Sequence, residues 1–517
     1  AATGELQNAS SVLTSEQRSR LQKAKTAKEP VLIITQAEAE ANESSRSTQK
    51  KTWQYKANNV RDFAIAASRK FIWDAMGVRL GGKTVIAQSL YPKEGNPLWG
   101  RFSTKVAAHT LLTYSKYTFD YPYPVATSVH AKTMGMEYPM ICFNFGRPDE
   151  DGTYSEYVKN RMIGVIIHEI GHNFFPMIVN SDERQWAWMD EGLNTFLQYL
   201  TEQEWEHGFP SRRGPAYKMV DYMKAQHKAM VPIMSSPNTI PQLGNNSYGK
   251  PATALNILRE TVMGRELFDF AFKTYAQRWK FKHPSPEDFF RTMEDASAVD
   301  LDWFWRGWFY STEHVDIAIE EVKHFQASSL DLKTEKAFDK EQALFLEENY
   351  ISNIRNKKST PKTFVERDTA THDFYHKYDK YEVTEKALLK YGAKVTTLPE
   401  KLQSIMKDGW HYYEITFSNI GGLVMPIILQ FEYADNTKEE IRIPAEIWSK
   451  NAQQVTKLFP SEKEVTSISL DPYFETADTD TYNNYWPPKP PVNRFRLFKN
   501  KNPLGNGKNP MKDSLRD

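Results

Sequence analysis

The sequence predicts an α+β protein in which a mainly helical domain is followed by a small β-sandwich-like module. Two observations carry this prediction. Aromatic and apolar residues are dense from Trp53 to about residue 320, and they recur there with helical spacing. Between His411 and Trp448, apolar and polar residues alternate instead, which is typical of half-buried strands.

The composition limits the classes of partner. Lys and Arg total 66 and Asp and Glu total 65, so the chain lacks the basic excess that nucleic acid or an anionic membrane requires of a general partner. No apolar run reaches the roughly 18 residues that span a bilayer, and we expect no transmembrane segment. Cys142 is the sole cysteine, so no intrachain disulfide can form.

Residues 1–52 are predicted as a polar N-terminal segment. "VLIIT" (Val31–Thr35) is a short strand candidate, and the rest is interpreted as loop or exposed helix. The chain begins "AATGELQ", without an initiator Met or a charged-then-apolar leader, so we expect it to be processed or part of a longer chain. The compartment is not determined by the sequence, and an exported location is slightly favoured over a cytoplasmic one.

Residues 53–320 contain most of the predicted regular structure. "YPMICFNFG" (Tyr138–Gly146) predicts a strand and the turn that leaves it. Pro286 is well placed for the start of a helix. Helices are predicted over "STKVAAHTLLTYSKYTF", "RMIGVIIHEIGHNFF", "DEGLNTFLQYLTEQEWE", "PATALNILRETVM", "RELFDFAFKTYAQRWKF" and "PEDFFRTMEDAS".

Three further segments follow the helical domain. Residues 321–408 are charged and mixed, and they are predicted as a connecting region. Residues 409–476 form the β-sandwich-like module, in which Gly421-Gly422 and the polar "DNTK" mark turns. Residues 477–517, with "WPPKPP", are predicted as an extended tail of low order.

The segment "VIIHEIGHNFF" (Val165–Phe175) places His168 and His172 four residues apart, with Glu169 directly after the first. On a helix the two imidazoles lie one turn apart on the same face, so both can reach one metal ion. Zinc accepts nitrogen ligands at about 2.0–2.1 Å. Glu169 is rotated away from the pair and is free to reach a water on the metal. The alternative is an apolar helix whose histidines are only hydrogen-bonded.

Glu191 follows His172 after eighteen intervening residues, on the predicted second helix. Two histidines and a glutamate from two helices make the thermolysin-type zinc arrangement, in which three protein ligands leave one tetrahedral position open. That open position distinguishes a catalytic zinc from a structural one. The joint pattern predicts one catalytic Zn2+ per chain, held by His168, His172 and Glu191.

Four segments, in the same chain order, resemble the aminopeptidase N-type gluzincin metallopeptidases, a family that also contains the leukotriene hydrolase. They are "MGMEYPM", similar to the Gly-x-Met-Glu-Asn substrate loop; "HEIGH" with the later "DEGLN"; "SYGKPATAL", similar to the segment that carries a catalytic tyrosine; and "EDFFRTMEDASAVDLDWFWRGWFY". The resemblance covers residues 53–320 and implies a thermolysin-like zinc peptidase catalytic domain there.

The resemblance also implies roles for individual residues. Glu169 would be the general base that takes a proton from the attacking water and passes it to the leaving amine. Tyr248 would donate a hydrogen bond to the oxyanion of the tetrahedral intermediate. Glu137 would bind the free α-ammonium of a peptide, and the backbone at Gly135 and Met136 would line the substrate in an extended pose.

Two features depart from the family pattern. When the substrate loop is aligned on Met136-Glu137, the family's Gly falls on Met134 and its Asn on Tyr138. The family also carries a large β-domain before the catalytic one, whereas about fifty polar residues precede Trp53 here. We therefore expect a catalytic and C-terminal part of a longer protein, with the upstream domain on the same precursor or on a separate chain.

The favoured hypothesis is a zinc aminopeptidase that releases N-terminal residues from peptide substrates. Two alternatives are a non-peptidase hydrolase on the same scaffold and an inactive binding or scaffolding homologue. The zinc-site residues and the candidate acid–base and oxyanion groups are all present, which speaks against the inactive homologue. An inert homologue has no chemical reason to keep all five residues, which are His168, Glu169, His172, Glu191 and Tyr248.

Overall fold

The computed structural model describes residues 1–133, 135–225, 230–407, 409–490 and 509–514. The described strands are β1 (Glu5–Leu6), β2 (Val31–Ile34), β3 (Tyr55–Lys56), β4 (Ile72–Leu80), β5 (Lys83–Tyr91), β6 (Val125–His130), β7 (Met136–Tyr138), β8 (Ile141–Asn144), β9 (Ile317–Gln326), β10 (His411–Asn419), β11 (Ile427–Tyr433), β12 (Lys438–Ile443), β13 (Gln454–Ser461), β14 (Val465–Leu470) and β15 (Tyr485–Trp486).

The described helices are α1 (Ala9–Val12), α2 (Ser15–Ala24), α3 (Gln36–Ser44), α4 (Leu98–Tyr117), α5 (Glu156–Gly171), α6 (Ala187–Trp205), α7 (Val220–Met223), α8 (Lys250–Ile257), α9 (Arg265–Trp279), α10 (Pro286–Ser297), α11 (Asp302–Tyr310), α12 (Leu332–Asn349), α13 (Ile351–Ser359), α14 (Phe364–Arg367), α15 (Phe374–Lys377), α16 (Glu385–Val395), α17 (Glu400–Lys407) and α18 (Pro510–Asp513). Within the described part of the chain, no helix is both long enough and apolar enough to cross a bilayer.

A six-stranded mixed sheet runs in the order β2-β4-β5-β6-β8-β7. The pairs β5–β6 and β6–β8 are parallel, and the other pairs are antiparallel. The strand predicted at "VLIIT" is confirmed as β2. It lies before residue 52 yet belongs to this sheet, so the folded domain begins earlier than the predicted boundary. Strand β7 lies at the opposite edge and carries the predicted substrate loop.

The helices that follow pack on one another and on the sheet: α4 packs against β4 and β5, α5 packs against β8 and β6, and the two helices pack against each other. Helix α5 begins after Ser155, whose side chain accepts a hydrogen bond from the backbone N–H of Val158 and so satisfies one of the free N–H groups of the first turn. Helix α6 packs against both α5 and α8. The buried face of α5 is lined by Met162, Ile163, Ile166, Ile167 and Ile170.

The C-terminal module consists of two antiparallel sheets, ordered β13-β10-β9 and β12-β11-β14-β15. Alternate residues of β10 are buried, among them Tyr413, Ile415 and Phe417, as the sequence alternation predicted. The predicted α+β class is confirmed. Helices α12 to α17 lie between β9 and β10 and are largely exposed.

The boundaries of this module differ from those predicted. Strand β9 begins at Ile317, before the predicted connecting region, and pairs along its length with β10. Strand β15 comes from the segment predicted as a low-order tail and pairs with β14. Asp478 and Thr479 are also buried. The prediction of an extended, low-order tail is therefore wrong for residues 477–486. Residues 491–508 and 515–517 of the predicted tail lie outside the described residues.

Candidate metal centre

Helices α5 and α6 bring three predicted zinc ligands to one point. His168 Nε2 lies 3.0 Å from His172 Nε2 and 3.1 Å from Glu191 Oε2, and His172 Nε2 lies 3.4 Å from the same oxygen. A tetrahedral zinc with bonds of about 2.0–2.1 Å separates its ligand atoms by roughly 3.3–3.4 Å. The three separations are therefore close to those that one zinc ion requires.

The other ring nitrogens of the two histidines are held by neighbouring groups. His168 Nδ1 lies 2.9 Å from Gln198 Oε1, and His172 Nδ1 lies 2.9 Å from the carbonyl oxygen of Phe175. A proton on each Nδ1 leaves the lone pair on Nε2, which is the tautomer that a metal ligand needs. Asp190 Oδ1 also lies 2.9 Å from His172 Nδ1.

Sequence reasoning missed Gln198 and Asn194 as supporting residues. Asn194 Nδ2 donates to the carbonyl oxygen of His168 at 2.9 Å, and Tyr114 Oη donates to Asn194 Oδ1 at 2.8 Å. Both polar residues follow Glu191 at helical spacing on α6, three and seven positions later. That spacing was the available signal, because it places them on the same face as the ligand.

The glycine of "HEIGH" allows the two ligand helices to approach closely. A Cβ placed on Gly171 would lie 2.3 Å from Asn194 Oδ1 and 2.3 Å from Tyr114 Oη. Real Cβ atoms do not approach that closely, so any larger residue would push α6 or α4 away from α5. The separation between the histidines and Glu191 therefore depends on this glycine.

Glu169 points into the space beside the triad and is buried. Its Oε2 atom has no hydrogen-bond partner among the described residues. Burial raises the pKa of Glu169 well above its ordinary value, and the nearby His172 opposes that rise. A carboxylate whose proton affinity is raised in this way is suited to accepting a proton from water.

The predicted substrate residues lie on the edge strand and just before it. Gly135 precedes β7, and Met136 and Glu137 are its first two residues. Carboxylate oxygens of Glu137 and Glu169 lie within 4.8 Å of each other and of a His172 ring nitrogen. Asn173 anchors this loop, because its Oδ1 accepts a hydrogen bond from the backbone N–H of Met140 at 2.7 Å.

The two positions that depart from the family pattern lie around this loop. Met134 lies outside the described residues. Tyr138 ends β7, and its ring meets that of Phe143 edge-on at a centroid distance of 6.2 Å.

Tyr248 lies on the other side of the triad, in a π-helical turn (Gly244–Gly249) that leads into α8. Its hydroxyl donates to Glu191 Oε1 at 2.5 Å, and its ring stacks on that of His168 at a centroid distance of 5.8 Å. The structure thus places the tyrosine hydroxyl beside the metal ligands. A small displacement from Glu191 would free this donor for an oxygen of a substrate.

Arg213 is a third residue that sequence reasoning missed. Its guanidinium carbon lies 4.4 Å from the ring centroid of Tyr248. Burial, reinforced by the neighbouring Arg212, lowers the pKa of Arg213 to about 10. No motif marks it, because it comes from the loop after α6 and reaches the site only through the tertiary fold.

The predicted site residues thus come together around one point, with Glu137 and Glu169 on the side of His172 and Tyr248 on the side of His168. Residues 102–308, which include these residues, match the peptidase family M1 domain.

Several similar proteins carry aminopeptidase names. Aminopeptidase 2, mitochondrial, of Saccharomyces cerevisiae is 24% identical over 230 residues, which are 41% of this chain and 23% of that protein. Glutamyl aminopeptidase of Bos taurus is 24% identical over 34% of this chain and 19% of its own length. Leucyl aminopeptidase of Saccharolobus solfataricus is 24% identical over 40% of this chain and 28% of its own length. The match spans about a quarter of the length of these relatives.

Solved structures of similar proteins show weak overall likeness. The crystal structure of Legionella pneumophila aminopeptidase A in complex with aspartic acid has a TM-score of 0.48 and 12% sequence identity, covering 79% of this chain and 38% of that one. An M1 zinc metallopeptidase from Deinococcus radiodurans has a TM-score of 0.35 and 17% identity, covering 46% of this chain and 50% of that one.

Proposed function

We propose that this M1-family chain is a zinc-dependent aminopeptidase that releases N-terminal residues from peptides. The observation that carries the proposal is the pair of carboxylates, Glu137 and Glu169, beside the three-residue metal site. The relatives named as aminopeptidases support the same activity at the level of the family.

The donor set fits one zinc ion per chain, held by His168, His172 and Glu191. Two neutral imidazole nitrogens and one carboxylate oxygen are the ligands of the thermolysin-type site. A zinc ion bound there supplies Lewis acidity, which polarises a carbonyl and lowers the pKa of water. The remaining chemistry falls to the side chains around it.

Glu169 and Tyr248 flank the triad from opposite sides. Glu169 takes the proton of the attacking water at its carboxylate and passes it to the nitrogen of the leaving amine. Tyr248 donates its hydroxyl hydrogen bond to the carbonyl oxygen as negative charge develops there. Because both side chains are largely buried, their interactions with the reacting atoms are less screened than they would be in water.

Glu137 provides selectivity for the free chain end. Its carboxylate lies close to that of Glu169, and two neighbouring carboxylates favour a cation between them. The α-ammonium of a peptide is such a cation at neutral pH. Strand β7 is an edge strand, so the backbone at Gly135 and Met136 can line an extended substrate and position its amine at Glu137.

The proposal is tested by metal content and by a panel of aminoacyl-anilides assayed with their N-acetylated counterparts. We expect about one zinc per folded chain and much faster cleavage of the free-amine substrates than of their acetylated counterparts. His172→Ala should remove the zinc and leave the fold, whereas His283→Ala, at an exposed position, should change neither. Equal cleavage of acetylated and free substrates would indicate a different hydrolase, and a folded chain that never takes up zinc would indicate a binding homologue.

A further inference from the structure

Three arginines lie together on the side of the metal site away from Glu137. Arg161 is on α5, seven residues before His168, which places both on the same helix face two turns apart. Arg212 and Arg213 follow α6. Burial lowers the pKa of Arg212 and of Arg213; the charge of Arg161 lowers both pKa values further, and the charge of Arg212 lowers that of Arg213. The three guanidiniums therefore lie within electrostatic range of one another, and we refer to them as the arginine cluster.

The described residues provide no carboxylate within 4.0 Å of these guanidiniums. Glu191 and Glu202 influence Arg213 electrostatically but do not form an ion pair with it. The contacts that the cluster does make are with aromatic rings: Arg213 with Tyr248 at 4.4 Å, and Arg161 with Phe145 at 5.2 Å. Like charges gathered without an ion-pair partner repel one another, and a bound anion relieves that repulsion.

The loop that carries Arg212 and Arg213 is fixed to α6. Ser211 Oγ donates to Glu202 Oε2 at 2.5 Å, and Gln203 Nε2 donates to Ser211 Oγ at 3.1 Å. Gly244 leaves room for the guanidinium, because a Cβ placed there would lie 3.2 Å from Arg213 Nη2. The cluster is therefore held in place before any ligand arrives, which reduces the entropy lost on binding.

The position of the cluster relates it to the leaving part of a substrate. Glu137 and Glu169 lie on the His172 side of the triad, and Tyr248 and Arg213 lie on the His168 side. A peptide whose amine is bound at Glu137 and whose scissile carbonyl lies at the triad continues toward the arginines. The first residue after the scissile bond then comes nearest to them.

We propose that Arg161, Arg212 and Arg213 form a carboxylate-binding subsite for the residue that follows the scissile bond. This proposal rests on the aminopeptidase function proposed above. The carboxylate comes either from the C-terminus of a dipeptide or from an Asp or Glu side chain at that position. Guanidinium groups bind carboxylates through paired, charge-assisted hydrogen bonds, so the subsite selects acidic leaving residues.

The test compares substrates that differ only in this carboxylate. Let X be an N-terminal residue whose anilide the protein cleaves. Comparing kcat/KM for X-Ala with that for X-Ala-amide tests recognition of the C-terminal carboxylate. X-Asp-amide against X-Asn-amide tests the side chain. One charge-assisted hydrogen bond changes kcat/KM by about ten- to a hundred-fold. We expect at least one carboxylate substrate to be preferred over its amide counterpart by that factor.

Variants assign the preference to the cluster. Arg212→Gln and Arg161→Gln should each reduce the carboxylate-to-amide ratio several-fold and leave anilide cleavage within about two-fold of the parent. Arg213→Gln should abolish most of the preference for the carboxylate substrate, and Arg213→Lys should retain part of it. Because Arg213 packs on Tyr248, its replacement can also lower kcat on every substrate, so the ratio is the informative quantity. Arg291→Gln, at an exposed position, is the matched control.

The two proposals fail in distinguishable ways. Cleavage of the anilide with no carboxylate preference overturns the subsite and leaves the aminopeptidase function standing. Absence of anilide cleavage overturns the function. In that case, calorimetric titration with Ala-Ala and Ala-Ala-amide still tests the cluster. Equal dissociation constants overturn the subsite, whereas tighter binding of Ala-Ala that Arg212→Gln removes supports it.

Discussion

Gly135 lies directly against the carboxylate of Glu169. A Cβ placed on Gly135 would lie 2.2 Å from Glu169 Oε1 and 2.8 Å from Val165 Cγ2. The backbone of the substrate loop therefore passes over the candidate general base with no room for a side chain. This contact links the proposed substrate-binding edge strand to the proposed general base.

Gly135→Ala should lower kcat by about 10²-fold, because the added methyl group displaces the carboxylate of Glu169 and a misplacement of roughly 1 Å is enough for such a loss. Zinc content should not change, since Glu169 is not a proposed ligand. Gly392→Ala is the matched control, because a Cβ there meets nothing within 4 Å. Full activity of Gly135→Ala would show that the loop and Glu169 are not held against each other.

Glu169→Gln should keep stoichiometric zinc and lower kcat by roughly 10²–10⁴-fold, the range for removal of a general base. The amide has nearly the same shape as the carboxylate but does not accept the proton of water. Metal analysis and steady-state kinetics on one preparation test both statements. Glu206→Gln, at an exposed position, should match the parent. Simultaneous loss of zinc and activity would instead assign Glu169 to metal binding.

Tyr248→Phe should lower kcat by about 10²–10³-fold, the range for loss of one oxyanion donor. KM should change little, because the hydrogen bond to the substrate forms mainly in the transition state. Tyr482→Phe, at an exposed tyrosine, is the control. An unchanged kcat with a raised KM would make Tyr248 a residue that binds the ground state.

Glu137→Ala should lower kcat/KM on free-amine substrates by about ten- to a hundred-fold, because one charge-assisted hydrogen bond to the α-ammonium is lost. The residual rate on N-acetylated substrates should fall much less, since these carry no ammonium group. Glu150→Ala, at an exposed position, is the control. An equal loss on both classes of substrate would give Glu137 a structural role.

Asp478 should make the stability of the β module depend on pH. Burial raises the pKa of Asp478 from 3.8 to about 7, so the folded state holds a proton over a range in which the unfolded chain has released it. The stability associated with this group is therefore present at low pH and is lost as the pH rises from about 4 to about 7.

Asp478→Asn should remove this dependence. The free energy of unfolding of the variant, minus that of the parent, should increase with pH over that interval by at most about 1.4 kcal/mol per unit. Denaturant titrations at several pH values measure the difference. Asp339→Asn, at an exposed position, should give a constant difference. A constant difference for Asp478→Asn as well would show that Asp478 ionises in the folded state with the same pKa as in the unfolded chain.

The sequence determined the elements of the site that depend on local spacing. A separation of four residues puts His168 and His172 on one face of any helix, and the structure forms that helix as α5. The apolar runs around them predicted buried helices, and the alternation after His411 predicted strands. These predictions were accessible because helical and strand periodicity are properties of the chain itself.

The tertiary structure decided which distant segments meet. The pairing of β9 with β10 joins residues on either side of six helices, and no local pattern encodes that partner. Likewise β7 lies at the sheet edge because β8 pairs in parallel with β6. Strand order depends on contacts between residues far apart in the chain, so the predicted module boundaries missed β9 and β15.

The same distinction separates the ligands from their surroundings. His168, His172 and Glu191 follow from a motif, but the contact of Gly135 with Glu169 exists only because an edge strand crosses α5. Arg213 reaches Tyr248 because the loop after α6 is held beside the π-helical turn that carries Tyr248. The sequence by itself determined which groups are candidates for metal binding and proton transfer. Only the packing of helices and sheet determined what surrounds them, because burial and close contact arise from the whole fold.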